Sequence, residues 1–248
     1  MSFKDHFSKQ SSLYSRYRPH YPQAMFAELS ALADQHRVLW DCACGSGQAA
    51  HGFAAHFDQI WATDASANQI ANALPHPGVS YSVCPAEQTD FPDHSVDMVN
   101  VAQALHWFNQ PAFYQEAQRV LAPGGLLTAL AYSFPQLSAE IDPVFFQFHS
   151  GTLADYWPAE RAMVDVFYQN IDFPFNELPS RSYQMICEWD FNHFLGYLNT
   201  WSATQAYKDQ QGGDPVTEFA QILAPLWGEP SHKRSISWPV RLRISKKQ

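Results

Sequence analysis

Five short apolar runs, at residues 37–44, 59–65, 79–84, 96–103 and 126–132, recur through the first half of the chain. Helix-length segments separate most of them, and few architectures accommodate that rhythm. The first run, RVLWDCAC, ends at Gly45-Ser46-Gly47, after which Gln48 to Phe57 reads as a helix. A second helix is predicted from Ser66 to Leu74, with Ser66 as its N-cap, and Pro75, Pro77 and Gly78 end it. A third opens at Pro111 and runs to about Leu121, where Pro123-Gly124-Gly125 stops it and launches the fifth strand. Strands joined across helices pair in parallel through right-handed crossovers, with helices on both faces. Ligands of such sheets bind beyond the carboxyl ends of the strands, so the loops after residues 44, 64, 84 and 103 are predicted to gather around one cleft.

Past residue 133 the rhythm breaks. Residues 134–180 are rich in Phe and Pro, with helical patches predicted at 144–153 and 159–170. Ser182–Trp189 reads as a strand, Asn192–Trp201 as a helix, and Gln210–Gly213 as a flexible link. Asp214 caps a helix to about Trp227, and Ser235–Ser245 alternates as a closing strand, expected to be antiparallel. A single domain is expected, divided into an N-terminal helical cover (1–36), a core (37–133), an insertion (134–180) and closing elements (181–248). Aromatic side chains concentrate in the variable part: 17 of the 70 residues from 132 to 201 are Phe, Tyr or Trp.

Charge excludes one class of partner. Residues 1–18 carry net +3, residues 233–248 net +6, and the body between them net −18. Nucleic-acid binding needs a basic face to neutralise phosphates, so no nucleic-acid partner is expected. No apolar run reaches the ~18 residues of a membrane span, and the polar start MSFKDHFSKQ lacks a signal peptide's apolar core. A cytoplasmic protein without a membrane partner is therefore expected. Cys42, Cys44, Cys84 and Cys187 match no zinc spacing, and His51 and His56 are five apart on a predicted helix, off the face a metal pair would share. No metal is expected, and the oligomeric state is left open.

The glycine turn with Ala50 three residues on fits G-x-G-x-x-G/A, and Asp64 follows Gly45 by 19 residues at the end of the next strand. Glycine there allows a tight turn and close approach of a ligand, and the carboxylate is placed to accept both hydroxyls of a ribose. Dinucleotides and other adenosyl cofactors share this pair. Asp41, however, stands where a dinucleotide fold usually carries an apolar residue. DCACGSGQ at 41–48 resembles the first motif of class I S-adenosylmethionine-dependent methyltransferases. FPDHSVDMV at 91–99 and RVLAPGG at 119–125 resemble later motifs of that family, in order. The fragments YRPHYP at 17–22, AQALHWF at 102–108 and TWSA at 200–203 are similar to its trans-aconitate methyltransferase-like subgroup.

The resemblance implies a Rossmann-like, doubly wound, mostly parallel seven-stranded sheet with the last strand antiparallel, plus a helical aromatic-rich insertion after strand five. It implies S-adenosyl-L-methionine as cofactor and a small-molecule methyl acceptor. Gly45, Ser46 and Gly47, with Ala43 before them, would hold the methionine part, and Asp41 would either help hold its ammonium group or order the loop. Asp64 and Ala65 would meet the ribose, and Ala86 and Glu87 the adenine. Gln103 and Arg18 would meet the methionine ammonium and carboxylate, an Arg fork matching a carboxylate. Pro85 departs from the family, many members of which carry an adenine-binding Asp there. His106, beside the expected methyl, is the candidate catalytic residue, either taking a proton from a hydroxyl or amine or hydrogen-bonding a carboxylate. Tyr132, Phe134, Tyr156, Trp157 and Trp201 are candidates for the acceptor pocket's wall. Two other functions fit less well: a non-catalytic module that binds the same cofactor, and an NAD-dependent oxidoreductase using the same glycine turn.

Overall fold

The computed structural model describes residues 17–248. The first half follows the predicted rhythm. After α1 (Gln23–Ser30) come β1 (Val38–Cys42), α2 (Gln48–Phe53), β2 (Gln59–Asp64), α3 (Ala67–Ala71), β3 (Val79–Val83), β4 (Val96–Ala102), α4 (Gln110–Val120) and β5 (Leu121–Tyr132). Local chemistry places the helix starts. The Ser66 side chain accepts from the Gln69 amide, and Asn109 caps α4 with a proline in its first turn.

The second half adds α5 (Asp142–Gln147), α6 (Arg161–Asp165), β6 (Asn176–Leu178), β7 (Ser182–Trp189), α7 (Phe191–Asn199), α8 (Ser202–Gln211), α9 (Pro215–Trp227) and β8 (Arg234–Lys246). Asp214 caps α9 by accepting from the Val216 amide. α8 occupies residues not predicted as helical and runs into the expected Gln210–Gly213 link. Gly212 ends it at φ +72°, a left-handed conformation suited to glycine.

The strand order is β3-β2-β1-β4-β5-β8-β6, with β7 also on β8. β1 to β5 pair in parallel, and β8 runs antiparallel to β5. The sheet has eight strands rather than seven because the outer edge of β8 is shared. β6 pairs with its Ile244–Lys246 end and β7 with Arg234–Arg241, so the two short strands lie end to end. Pro179, between them, has no N–H to donate and breaks what would otherwise be one partner strand. A second difference is that Pro123-Gly124-Gly125 lies inside β5. Leu121 pairs with Val96 and Leu126 with Met98, and the extra residues bulge outward with Gly124 at φ +77°.

Side-chain alternation divides the core between the two faces of the sheet. Leu39, Met98, Leu126 and Leu130 pack towards α1, α2, α7 and α9, while Trp40, Val99, Leu127 and Ala129 pack towards α4 and α6. One polar row crosses the first face. Asp41, Asn100 and Thr128 are neighbours in register on β1, β4 and β5, and all three are fully buried. Among the described residues, no helix is long and apolar enough to cross a membrane.

Candidate active site

A cleft of about 1750 Å³ opens over the carboxyl ends of β1, β2 and β4. Its floor is the turn after β1. Ala43, Gly45 and Gly47 have φ of +54°, +56° and +86°, so the backbone passes three times through the left-handed region within five residues. Gly47 is required twice over: a Cβ there would stand 2.1 Å from the Tyr81 hydroxyl oxygen. The turn thus presents bare backbone to the cleft, the form of cradle a bound nucleoside needs.

Asp64, at the end of β2, holds this turn. Its carboxylate accepts from the Gly45 amide at 2.9 Å and from the Ser66 amide at 2.8 Å, one on each oxygen. Charge-assisted bonds of this kind leave further lone pairs for a ligand's hydroxyls. Gln69, on α3 beside it, lines the same wall with its side-chain oxygen buried and unpartnered.

Asp41 does not reach the cleft wall. It is buried behind the turn, where its Oδ1 accepts from the Asn100 amide at 2.7 Å, while Thr128 Oγ1 donates to Asn100 at 3.1 Å. Burial pushes its carboxyl up to about 7, against the favourable effect of Asn100 and the Ala50 amide. Its place fits ordering the loop rather than touching a ligand.

Arg18 and Gln103 close the far end. The Arg18 guanidinium donates to the Tyr132 hydroxyl at 3.0 Å and to the Thr200 carbonyl at 3.2 Å, and lies 5.4 Å from the Tyr197 ring centre. Gln103, left-handed at φ +60°, exchanges both amide hydrogen bonds with the Tyr132 backbone and ties the end of β4 to that of β5. On the wall that follows β3, Glu87 accepts from the Asn109 amide at 2.9 Å. Pro85 and Ala86 line the wall beside it.

The predicted residues Arg18, Ala43, Gly45, Ser46, Gly47, Asp64, Ala65, Ala86, Glu87, Gln103, His106, Tyr132, Tyr156 and Trp157 all face this one cleft. Phe134 and Trp201 do not. Both pack behind the wall around His149, with ring centres at 4.2 Å and 5.5 Å from its own, and Trp157 separates Trp201 from the open space at 5.3 Å. They support the aromatic wall and do not form its surface. Sequence reading missed Gln69 and Met163, which line the cleft, and Tyr81, which stands against Gly47 from behind the turn. Gln69 had a signal, three residues after the N-cap Ser66; Tyr81 had none.

His106 follows β4 in a 3₁₀ turn, Leu105–Trp107, and is nearly buried. Burial, with a contribution from Arg161, pushes its pKa down to about 3, so it is a neutral imidazole at physiological pH. Its Nδ1 lies 3.0 Å from the Tyr168 hydroxyl. Opposite stand Tyr156 and Trp157, folded back over the cleft from the segment after β5. Trp157 donates to the His149 carbonyl at 3.0 Å, and the Arg161 guanidinium lies 4.9 Å from its ring centre. Among the described residues, no cluster of His, Cys, Asp and Glu is arranged to hold a metal.

A doubly wound sheet, a left-handed glycine turn at its switch point and a carboxylate at the end of the next strand define a nucleoside-cofactor enzyme. Comparison with known proteins narrows the class. A methyltransferase domain model matches residues 40–129. A protein of Dictyostelium discoideum named as a methyltransferase is 30% identical over 253 residues, spanning 99% of this chain and 96% of its own length. A solved structure described as a type II methyltransferase, from Anaeromyxobacter dehalogenans, is 40% identical and superposes with a TM-score of 0.87 over 93% of this chain and 98% of that one. The ubiquinone/menaquinone biosynthesis C-methyltransferase of Cupriavidus taiwanensis matches more narrowly, 34% identical over 107 residues, or 40% of this chain and 44% of that protein. The chain belongs to the class I S-adenosylmethionine-dependent methyltransferases.

Proposed function

We propose that the enzyme moves a methyl group from S-adenosylmethionine to a small, partly apolar molecule. One observation carries the acceptor half of this reading: the segment from Tyr156 to Met163 lines the same cleft as the glycine turn, opposite His106. An enclosed aromatic wall suits a small molecule, and the acidic body suits no polyanion.

When bound, the cofactor supplies a methyl on a sulfonium, displaced in line to leave a neutral thioether. The protein's tasks are then alignment and exclusion of water. In this reading the bare backbone at Gly45 and Gly47, with Ala43 and Ser46, cradles the methionine part, and Asp41 keeps that turn in shape from behind. Asp64 and Ala65 take the ribose, and Gln69 adds a buried acceptor beside them. Ala86 and Glu87 border the adenine, where Pro85 offers no amide donor. Arg18 presents its fork to the methionine carboxylate and Gln103 its backbone to the ammonium. Tyr132, Tyr156 and Trp157 wall the acceptor end.

The motifs shared with trans-aconitate methyltransferase-like proteins support a small-molecule enzyme of that general build. They do not carry that substrate across, because the nearby cation Arg161 is engaged by Asp165 at 3.1 Å and by the Trp157 face. Calorimetry with S-adenosylhomocysteine tests the cofactor half. Labelled S-adenosylmethionine incubated with metabolite pools tests the rest: a labelled small product, lost in Asp64→Ala, is expected. Absence of binding at high micromolar concentration, or label only in macromolecules, would overturn the reading.

A further inference from the structure

The two ring nitrogens of His106 have different surroundings. Nδ1 faces the Tyr168 hydroxyl at 3.0 Å, and the two rings lie 6.0 Å apart at 29°. Nε2 has no hydrogen-bond partner among the described residues and is not sealed from solvent, and the cleft is the open space that His106 lines.

Tyr168 is fully buried beyond α6, 62 residues along the chain from its partner. Burial pushes its hydroxyl pKa well up, so the hydroxyl keeps its proton. Among the described residues, His106 Nδ1 is the one acceptor within hydrogen-bond distance of it. A buried hydroxyl hydrogen with no acceptor would carry its full desolvation penalty. Nδ1 is therefore the unprotonated nitrogen. Because the ring is neutral, its one proton is on Nε2.

We infer that Tyr168 is a positioning residue that fixes His106 as the Nε2–H tautomer, so that the imidazole offers the methyl acceptor a hydrogen-bond donor and not a base. The inference rests on the methyltransferase reading of this cleft. It deepens that reading by naming what the acceptor must present at this point: an atom with a free lone pair, such as a carbonyl or carboxylate oxygen. A nucleophile that must first lose a proton gets no help from this residue.

Long-range nitrogen–proton correlation spectra of the full chain, with and without S-adenosylhomocysteine, read the tautomer directly, and His106→Gln identifies the signals. Expected are an unprotonated Nδ1 and a protonated Nε2 throughout about pH 6–8, with Nδ1 displaced in Tyr168→Phe while the other histidines stay in place. A proton on Nδ1, conversion to imidazolium within that range, or an Nδ1 signal indifferent to Tyr168→Phe would overturn the inference. Should Tyr168→Phe fail to fold, the tautomer of the wild-type chain still decides. Calorimetry with the same ligand runs alongside. Loss of binding there counts against the methyltransferase reading alone, since the tautomer is also read on the free chain.

Discussion

His149 sits outside the cleft, and its ring is enclosed by Phe134, Trp157 and Trp201, with centres 4.2, 4.5 and 5.5 Å away. Its Nδ1 meets Ser150 Oγ at 3.1 Å, and its Nε2 is buried without a partner. Burial, with a smaller effect from Arg161, pushes its pKa down to about 3 from an unfolded value of 6.5. As pH falls from about 7.5 to 5.5, the unfolded chain takes up a proton at this residue and the folded chain does not. The stability His149 contributes is present above the unfolded pKa and is lost on acidification. Over that interval the loss is RT ln 11 less a small remainder, about 1.4 kcal/mol. His149→Phe keeps an aromatic ring against Trp157 and removes the titration. Its absolute stability will shift through repacking, so the readout is the change with pH. Between pH 7.5 and 5.5, wild type should lose about 1.4 kcal/mol more than the variant, or roughly 3–5 °C in Tm for a chain of this length. Urea unfolding at the two pH values measures it. Equal losses in both proteins would show that His149 is protonated within the fold, and the burial argument would fail.

Asp41 should behave in the opposite sense. A carboxyl raised to about 7 in the fold contributes stability at low pH that is lost as pH rises through that value. Asp41→Asn should therefore gain about 2 kcal/mol relative to wild type between pH 5.5 and 8 without ligand, read by the same unfolding curves; a pH-independent difference would refute it. Removing the Asp64 carboxylate takes away the bonds that hold Gly45 and Ser66, and S-adenosylhomocysteine should bind roughly 10–100-fold more weakly to Asp64→Ala by calorimetry. Gly47→Ala meets both the Tyr81 hydroxyl and an unfavourable φ. Adding Tyr81→Ala should restore only part of the lost thermal stability, leaving about 1–2 kcal/mol of backbone strain; complete recovery would mean that the turn does not need its left-handed form.

What could be read from the sequence was what neighbouring residues decide among themselves. The caps at Ser66 and Asp214, the turn at Gly45–Gly47 and the strand ending at Asp64 each depend on a few consecutive side chains. β6 was not legible, because Asn176–Leu178 is too short for any period and becomes a strand only where β8 offers it an edge. The start of β5 was hidden for a related reason: Pro123-Gly124-Gly125 reads as a stop, and only the pairing of Leu121 with Val96 carries the strand across it. Within the cleft, the side built on the glycine turn was largely legible, and the side opposite His106 was visible only as a concentration of aromatic residues. Which rings face the cleft and which stand behind it depends on packing around His149, and so Phe134 and Trp201 fell on the hidden side. The contact between Tyr168 and His106 spans two separate segments and leaves no mark in either.

The position of β8 also sets an order of assembly. β1 to β5 can pair as they emerge, each finding its neighbours in residues already made. β6 and β7 cannot, since their partner follows them in the chain, and until it arrives β5 keeps a bare edge. Inserting β8 closes long loops, among the slower events in folding. The segment between β5 and β8 is thus fastened after the glycine-turn side of the sheet, and changes within it fall late in assembly. Such timing lets that segment diverge while the frame beneath it continues to form.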